Sequence, residues 1–139
     1  MGRAAFLLRP VHERLLGRLK TSAKLFADET TAPVLDPGRG RTKTGQLWAY
    51  ARDDRPWGGT DPPGVAYVYA PDRKAERPIA HLAGFRGVLQ VDGYAGYKVL
   101  AERGEVQLAF WSHVRRRFCE LAQGGAAPIA SEALDVSFP

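Results

Sequence analysis

The sequence predicts one α/β domain built on a mixed sheet. Three observations carry this. A chain of 139 residues that is 45% hydrophobic supplies one ordinary core and no more. Two alternating apolar runs, 46–53 and 65–69, flank a loop dense in Gly and Pro, as antiparallel partners do. Two later strand-like runs, near 88–92 and 105–111, alternate with helical segments, which calls for parallel pairing.

The elements follow in order. Residues 3–22 read as a helix, because Leu8, Val11, Leu15 and Leu19 recur at steps of three and four. Arg14 and Arg18 lie off that stripe, and Pro10 marks a start or a kink. This helix is expected to cover the sheet or a neighbouring region. Residues 24–30 form a short buried strand ending in acids. Residues 36–45 form a Gly-rich basic loop, and 46–53 a second strand with large apolar residues at alternate positions. Arg55 to Gly64 is too rich in turn residues to be anything but a loop. Val65 to Tyr69 is the third strand. Residues 74–83 hold a short helix with Ile79, Leu82 and Ala83 on one side. Val88 to Asp92 is a fourth strand ending in an acid, and a helical segment runs on to Arg103. A fifth strand at 105–111 precedes a helix capped by Ser112, with Val114, Phe118 and Leu121 as its apolar stripe. The order is helix, then β-β-β-α-β-α-β-α. It divides the chain into a helical segment at 1–23, a core at 24–122 and a loose tail at 123–139.

Composition narrows the function classes. The net charge is +5, and 15 of the 20 basic residues are Arg. Arg matches phosphate because its planar fork bonds two oxygens at once, so a nucleic-acid partner is one reading of the charge, and an ordinary basic surface is the other. The single cysteine, Cys119, excludes an internal disulfide and a cysteine-based zinc site and fits a reducing compartment. No apolar run reaches the length of a membrane span, and the apolar start is cut short by Arg9 and Pro10. A cytoplasmic protein is expected, with no membrane partner.

Asp28 and Asp92 draw the most attention. Each ends an apolar strand, where a carboxylate must reach a cleft or a partner. If the second and third strands extend one side of the first, the first and fourth are neighbours and the two acids meet. Close carboxylates repel, and a cation relieves the repulsion. Mg²⁺ does this well because it takes oxygen ligands and keeps several waters. Two such ions about 4 Å apart support phosphoryl transfer. The pattern alone leaves a second reading open, in which Asp28 closes a turn with Thr30 and Asp92 opens the next helix.

Longer motifs stand around these acids. They are Phe26-Ala27-Asp28-Glu29-Thr30, Val34-Leu35-Asp36-Pro37-Gly38-Arg39-Gly40, Lys43-Thr44-Gly45, Leu47-Trp48-Ala49-Tyr50 and Arg52-Asp53-Asp54-Arg55-Pro56. Further on come His81-Leu82-Ala83-Gly84-Phe85, Leu89-Gln90-Val91-Asp92-Gly93-Tyr94-Ala95-Gly96-Tyr97 and Trp111-Ser112-His113-Val114-Arg115-Arg116-Arg117-Phe118. In this order, over roughly 5–122, they resemble the central domain of the bacterial insertion-sequence-sixty-six transposase family. The resemblance implies a ribonuclease-H-like fold, a site for Mg²⁺ or Mn²⁺, and cleavage and joining of DNA at transposon ends and a target. It implies that Asp28 and Asp92 are the first two acids of a catalytic triad. The family's third acid, a Glu, lies far beyond the 112–122 helix. The expectation is therefore a fragment cut at both ends, without the zinc module and end-binding helices, and inactive alone. The alternative is a remnant that binds DNA, or a full-length transposase or another copy, without cutting. The resemblance also places the protein at the bacterial nucleoid.

The remaining candidates carry two readings each. Arg39, Arg41 and Lys43 on the Gly-rich loop, and Arg115, Arg116 and Arg117 after His113, either neutralise DNA phosphates or form a solvated surface. The loop is no P-loop, because Lys43 follows Thr42 rather than Gly. His113 matches the family's Trp-x-His segment and either approaches the cleft or stays on the surface. That family often has Cys before the Trp, where this chain has Phe110. Glu120, on a helix after the fifth strand, either stands in for the third acid or, sharing a face with Arg116 and Arg117, forms an ion pair, which the spacing favours. Glu29 follows Asp28 directly and so should face away from it. Trp48, Tyr50, Tyr67 and Tyr69 read as core or sheet-face packing.

Overall fold

A computed structural model describes residues 3–109, together with 119, 120, 123, 128, 129 and 132. A helix, α1 (Arg3–Leu19), leads into β1 (Lys24–Asp36), β2 (Arg41–Arg52) and β3 (Gly64–Ala70). Then come α2 (Glu76–His81), β4 (Gly87–Val91), α3 (Lys98–Glu102) and β5 (Val106–Ala109). The five strands form one sheet in the order β3-β2-β1-β4-β5. β1 pairs antiparallel with β2, and β2 with β3, while β4 lies parallel to both β1 and β5. The expected α/β class, its mixed sheet and the β1–β4 neighbourhood are all present.

Alternation along the strands decides what each face holds. Leu25, Ala27, Trp48, Tyr50, Ala66, Leu89 and Val91 are buried, and the register puts them on one face. Over Trp48 lie the rings of His81, Tyr94 and Tyr97, at 6.1, 5.7 and 6.0 Å between centroids. Leu82, Phe85 and Leu100 complete this core. Truncating a buried aromatic of Trp48's kind to Ala costs about 3–5 kcal/mol. The opposite face carries Asp28, Ala49, Ala51 and Gln90, with Tyr67 and Tyr69 exposed on β3. Trp48 and Tyr50 are thus core as expected. Tyr67 and Tyr69 take the other parity and remain in solvent.

Three expectations need correction. β1 and β2 are longer than 24–30 and 46–53. Their register runs unbroken from Phe26↔Ala51 to Asp36↔Arg41, so the connection is four residues, 37–40, and Arg41 and Lys43 lie within β2. Backbone pairing continues because the ribbon's own ladder satisfies its polar groups. Pro33 is tolerated there because β4 pairs with β1 only as far as Ala27. The turn needs Gly38 and Gly40, both at positive φ (85° and 61°). The second correction concerns α1. Of its stripe only Leu19 is buried, while Leu8, Val11 and Leu15 are exposed. The helix touches the β3 side of the sheet at its end, where Leu19 and Leu15 approach Gly64. His12 Nε2 lies 2.8 Å from the Tyr67 carbonyl oxygen. Lastly, Ala83 in the expected 74–83 helix is exposed, while Leu82, Ile79 and Pro78 turn inward. The expected helix beginning at Ser112 lies outside the described residues.

Arg52 ties the end of β2 to its surroundings. Its guanidinium is buried and donates to Ser22 Oγ (3.0 Å) and to the Pro62 carbonyl (2.8 Å), with Asp61 at 3.4 Å. This fixes the loop that follows β2 against the turn between α1 and β1.

His81 gives the core a pH dependence. The Tyr50 hydroxyl lies 3.0 Å from its Nδ1. Burial, then the Arg77 charge, lowers its pKa to about 4. The folded state therefore resists protonation that the unfolded chain accepts near 6.5. The resulting loss of stability is absent above pH 6.5, grows as pH falls, and is complete below about pH 4. Urea midpoints between pH 7 and 4 should fall for the wild type, and His81→Gln should remove part of that slope. An identical slope in both proteins would show that His81 does not carry it.

Candidate acidic site on the open sheet face

Asp28 and Asp92 come from β1 and from the end of β4. In the parallel register Ala27 pairs with Val91, so the next residues along, Asp28 within β1 and Asp92 just past β4, stand side by side. Adjacent strands are about 4.8 Å apart. The two acids have the same parity and line one pocket of about 290 Å³ with Phe26, Ala27, Ala49, Ala51, Gln90 and Val91. Each aspartate is exposed.

Local sequence explains the opening. β4 ends at Val91, and Gly93 at φ 88° turns the chain away from the sheet. β1 continues past that point, so Asp92 stands where one strand leaves and its neighbour goes on. Carboxyl ends of parallel strands are where clefts form in open α/β sheets. Across from Asp28 on β2 is Ala49, with Ala51 beyond. Two methyl groups leave the floor low where larger residues would fill it. Asp28 Oδ1 accepts from the Glu29 N–H at 2.9 Å.

Glu29 takes the other face, as its adjacency to Asp28 requires. Its carboxylate is nearly buried (8% exposed), pairs with Arg73, and accepts from the Tyr97 hydroxyl at 3.5 Å. The Tyr94 hydroxyl donates to the Arg73 carbonyl, and the Arg73 guanidinium lies over the Tyr94 ring at 4.4 Å. Burial, and after it the Tyr50 hydroxyl and the Glu29 charge, pushes the Tyr97 hydroxyl up, so it remains a donor. Glu29 thus binds the segment after β4 to the underside of β1, directly behind the acidic pair.

The basic candidates lie apart from the pocket. Arg39 is exposed at the tip of the ribbon, 3.7 Å from Asp36. Arg41 and Lys43 are exposed on β2, with Asp28's parity in the unbroken register. Lys43 pairs with Val34, six residues beyond Asp28 and so about 20 Å along the ribbon. The ribbon carries three cations away from the acids. His113, Arg115, Arg116 and Arg117 lie outside the described residues. Glu120 is exposed. Among the described residues, no group of three or more His, Cys, Asp or Glu side chains is placed to hold a metal. Among them, too, no helix is long and apolar enough to cross a membrane.

Residues that the sequence reading passed over also reach this face. Gln90 lines the pocket. Phe26, another lining residue, stacks on Trp57 at 6.2 Å. Trp57 sits within a stretch so rich in Gly and Pro that only loop was legible there. A large aromatic among turn residues was the available signal.

The Transposase IS66 family model matches residues 1–136. An uncharacterised protein of Sinorhizobium fredii, y4qI, is 46% identical over 142 residues, covering 96% of this chain and 26% of its own length. A second from that organism, y4jD, is 45% identical over 141 residues, covering 96% of this chain and 28% of its own. A third, y4hP, is 39% identical over 127 residues. The chain spans about a quarter of the length of these relatives. No solved structure matches. Matched over nearly its whole length, this chain belongs to the IS66 family of transposases.

Proposed function

We propose that the chain is part of the catalytic domain of a DNA transposase, in which Asp28 and Asp92 hold Mg²⁺ or Mn²⁺ for phosphodiester cleavage and strand transfer. The observation that carries this is the shared pocket, where acids distant in sequence line one wall on the open face. The strand order and directions support a ribonuclease-H-like reading of the fold. Family membership supports transposition as the process.

The residues suit a hard cation. Both candidate ligands are carboxylates, and like charges on adjacent strands favour an ion between them. Two protein ligands also suit Mg²⁺, which keeps much of its water. When bound, such an ion stabilises charge on phosphate oxygens and activates an attacking oxygen. The chain's own part is to position. The Glu29 N–H orients the Asp28 carboxylate, Gly93 lets Asp92 leave the sheet, and the Ala49–Ala51 floor admits a phosphate group. Arg39, Arg41 and Lys43 on the ribbon would meet flanking DNA phosphates.

A second reading, a chain that binds DNA without cutting it, draws on one observation. The described residues offer a pair of acids rather than a set of three.

Two experiments test these readings. Mn²⁺ titrated into the 139-residue chain by calorimetry should bind weakly, and Asp28→Asn or Asp92→Asn should abolish the signal. Strand cleavage of a transposon-end duplex should be poor or absent. Metal binding that persists in the double Asn variant would remove the chemistry from this pocket. Separately, replacing Arg39, Arg41 and Lys43 together by Gln should lower the slope of log affinity against log salt by about 2–3, near 0.9 per lost phosphate contact. An unchanged slope would rule out the ribbon as a DNA contact.

A further inference from the structure

We propose that Trp57, Phe26 and Lys24 form a stacking platform for an unpaired nucleobase of a DNA strand passing the acidic pocket. The proposal rests on the phosphodiester reading for its substrate, but not on the metal.

The platform is built by two elements. Lys24, Phe26 and Asp28 are alternate residues of β1 and share one face, each step about 6.5 Å along the strand. The Trp57 ring stacks on Phe26 with an interplanar angle of 27°. The Lys24 ammonium stands 3.9 Å from the Trp57 ring centroid and 4.7 Å from that of Phe26. Lys24, Asp54, Trp57 and Gly59 line a pocket of about 350 Å³. Phe26 lines the acidic pocket and so joins the two.

Trp57 is displayed rigidly. It ends a single 3-10 turn, Arg55–Trp57. Its N–H and that of Gly59 both donate to the Asp54 carbonyl, at 3.0 and 2.9 Å. Gly58 adopts φ 73°, and a side chain at Gly59 would collide with Asp54. The Asp53 carboxylate grips the Arg55 guanidinium at 2.8 and 2.7 Å. Yet 62% of Trp57 stays exposed. An exposed indole on an ordered loop forgoes burial that folding would otherwise gain, and it is already oriented for a flat partner.

The chemistry fits a single strand better than a duplex. Aromatic faces take bases without regard to sequence, and a neighbouring cation takes the phosphate. Lys24, whose ammonium lies over the Trp57 ring, supplies that cation. Asp54, on the pocket wall, repels a phosphate there and can accept from the amino edge of a base. A base pair within a duplex offers no free face to Trp57, so the occupant is a frayed, nicked or extruded nucleotide beside the scissile position.

The test compares a short oligo-dC with an abasic strand of equal length, bound to the 139-residue chain and read by fluorescence anisotropy. The wild type should bind the base-bearing strand roughly ten-fold more tightly, the range set by one stacked base. Trp57→Ala should bind both strands equally while remaining folded, with only a small drop in the thermal melt, because most of the side chain is exposed. Lys24→Gln should lower the salt slope by about one. A wild type without base preference or without strand binding overturns the platform, as does a preference that survives Trp57→Ala. A preference lost instead in Tyr67→Ala with Tyr69→Ala also overturns it, by moving the stacking to β3. The metal reading fails independently, since loss of Mn²⁺ binding leaves the base preference of this platform untouched.

Discussion

Asp28 and Glu29 are neighbours in the chain and face opposite sides of the sheet, and most of the architecture depends on that parity. β1 is the strand shared by both halves of the sheet, antiparallel to β2 and parallel to β4. Fixing its register fixes which side chains face the helices and which face the open side. A slip of one residue would bury Asp28 among Trp48, Tyr50 and Tyr97 and expel Glu29 into the pocket. The aromatic core therefore does more than stabilise. It locks the register that holds the acids outward.

Glu29 strengthens that lock in a polar way. A carboxylate on a buried face is tolerated only with partners, and Arg73 and Tyr97 supply them. Tyr97 and Tyr94 follow Asp92 closely in sequence. The contact that satisfies Glu29 thus also anchors the segment leaving β4, immediately after the second acid. Structure behind the sheet positions the acidic pair in front of it.

Much of this was legible because β-strand parity is legible. Apolar runs ending in Asp28 and Asp92, and alternation around Trp48 and Tyr50, gave the strands, their pairing and the meeting of the two acids. The ribbon was not legible, since residues 31–45 carry Pro, Gly, Thr and charge, the composition of a loop. They pair because each strand needs only the other, with no core to fill. The α1 stripe misled for a related reason. Period shows that a helix has an apolar side, but not whether these residues include what covers it. Trp57 was hidden because turn composition masked a single side chain whose importance is its placement.

The two faces divide the labour of the fold in a way that explains the site's composition. On the core face Trp48, Tyr50, His81, Tyr94 and Tyr97 pack ring against ring, and leucines fill the space around them. On the open face, around the acids, the sheet bears Ala49, Ala51 and Gln90, residues too small or too polar to demand a cover, and Phe26, which Trp57 covers. Toward one end of that bare strip stands Trp57 with Lys24. Toward the other, the ribbon runs out to Arg41 and Lys43. A polyanion laid along β1 would meet cations at both ends and carboxylates between them. Carboxylates in that central place would repel the polyanion unless a cation intervened. Under the proposed function, an arrangement that drew nucleic acid along β1 would thus call for a divalent ion at the pocket that Asp28 and Asp92 line.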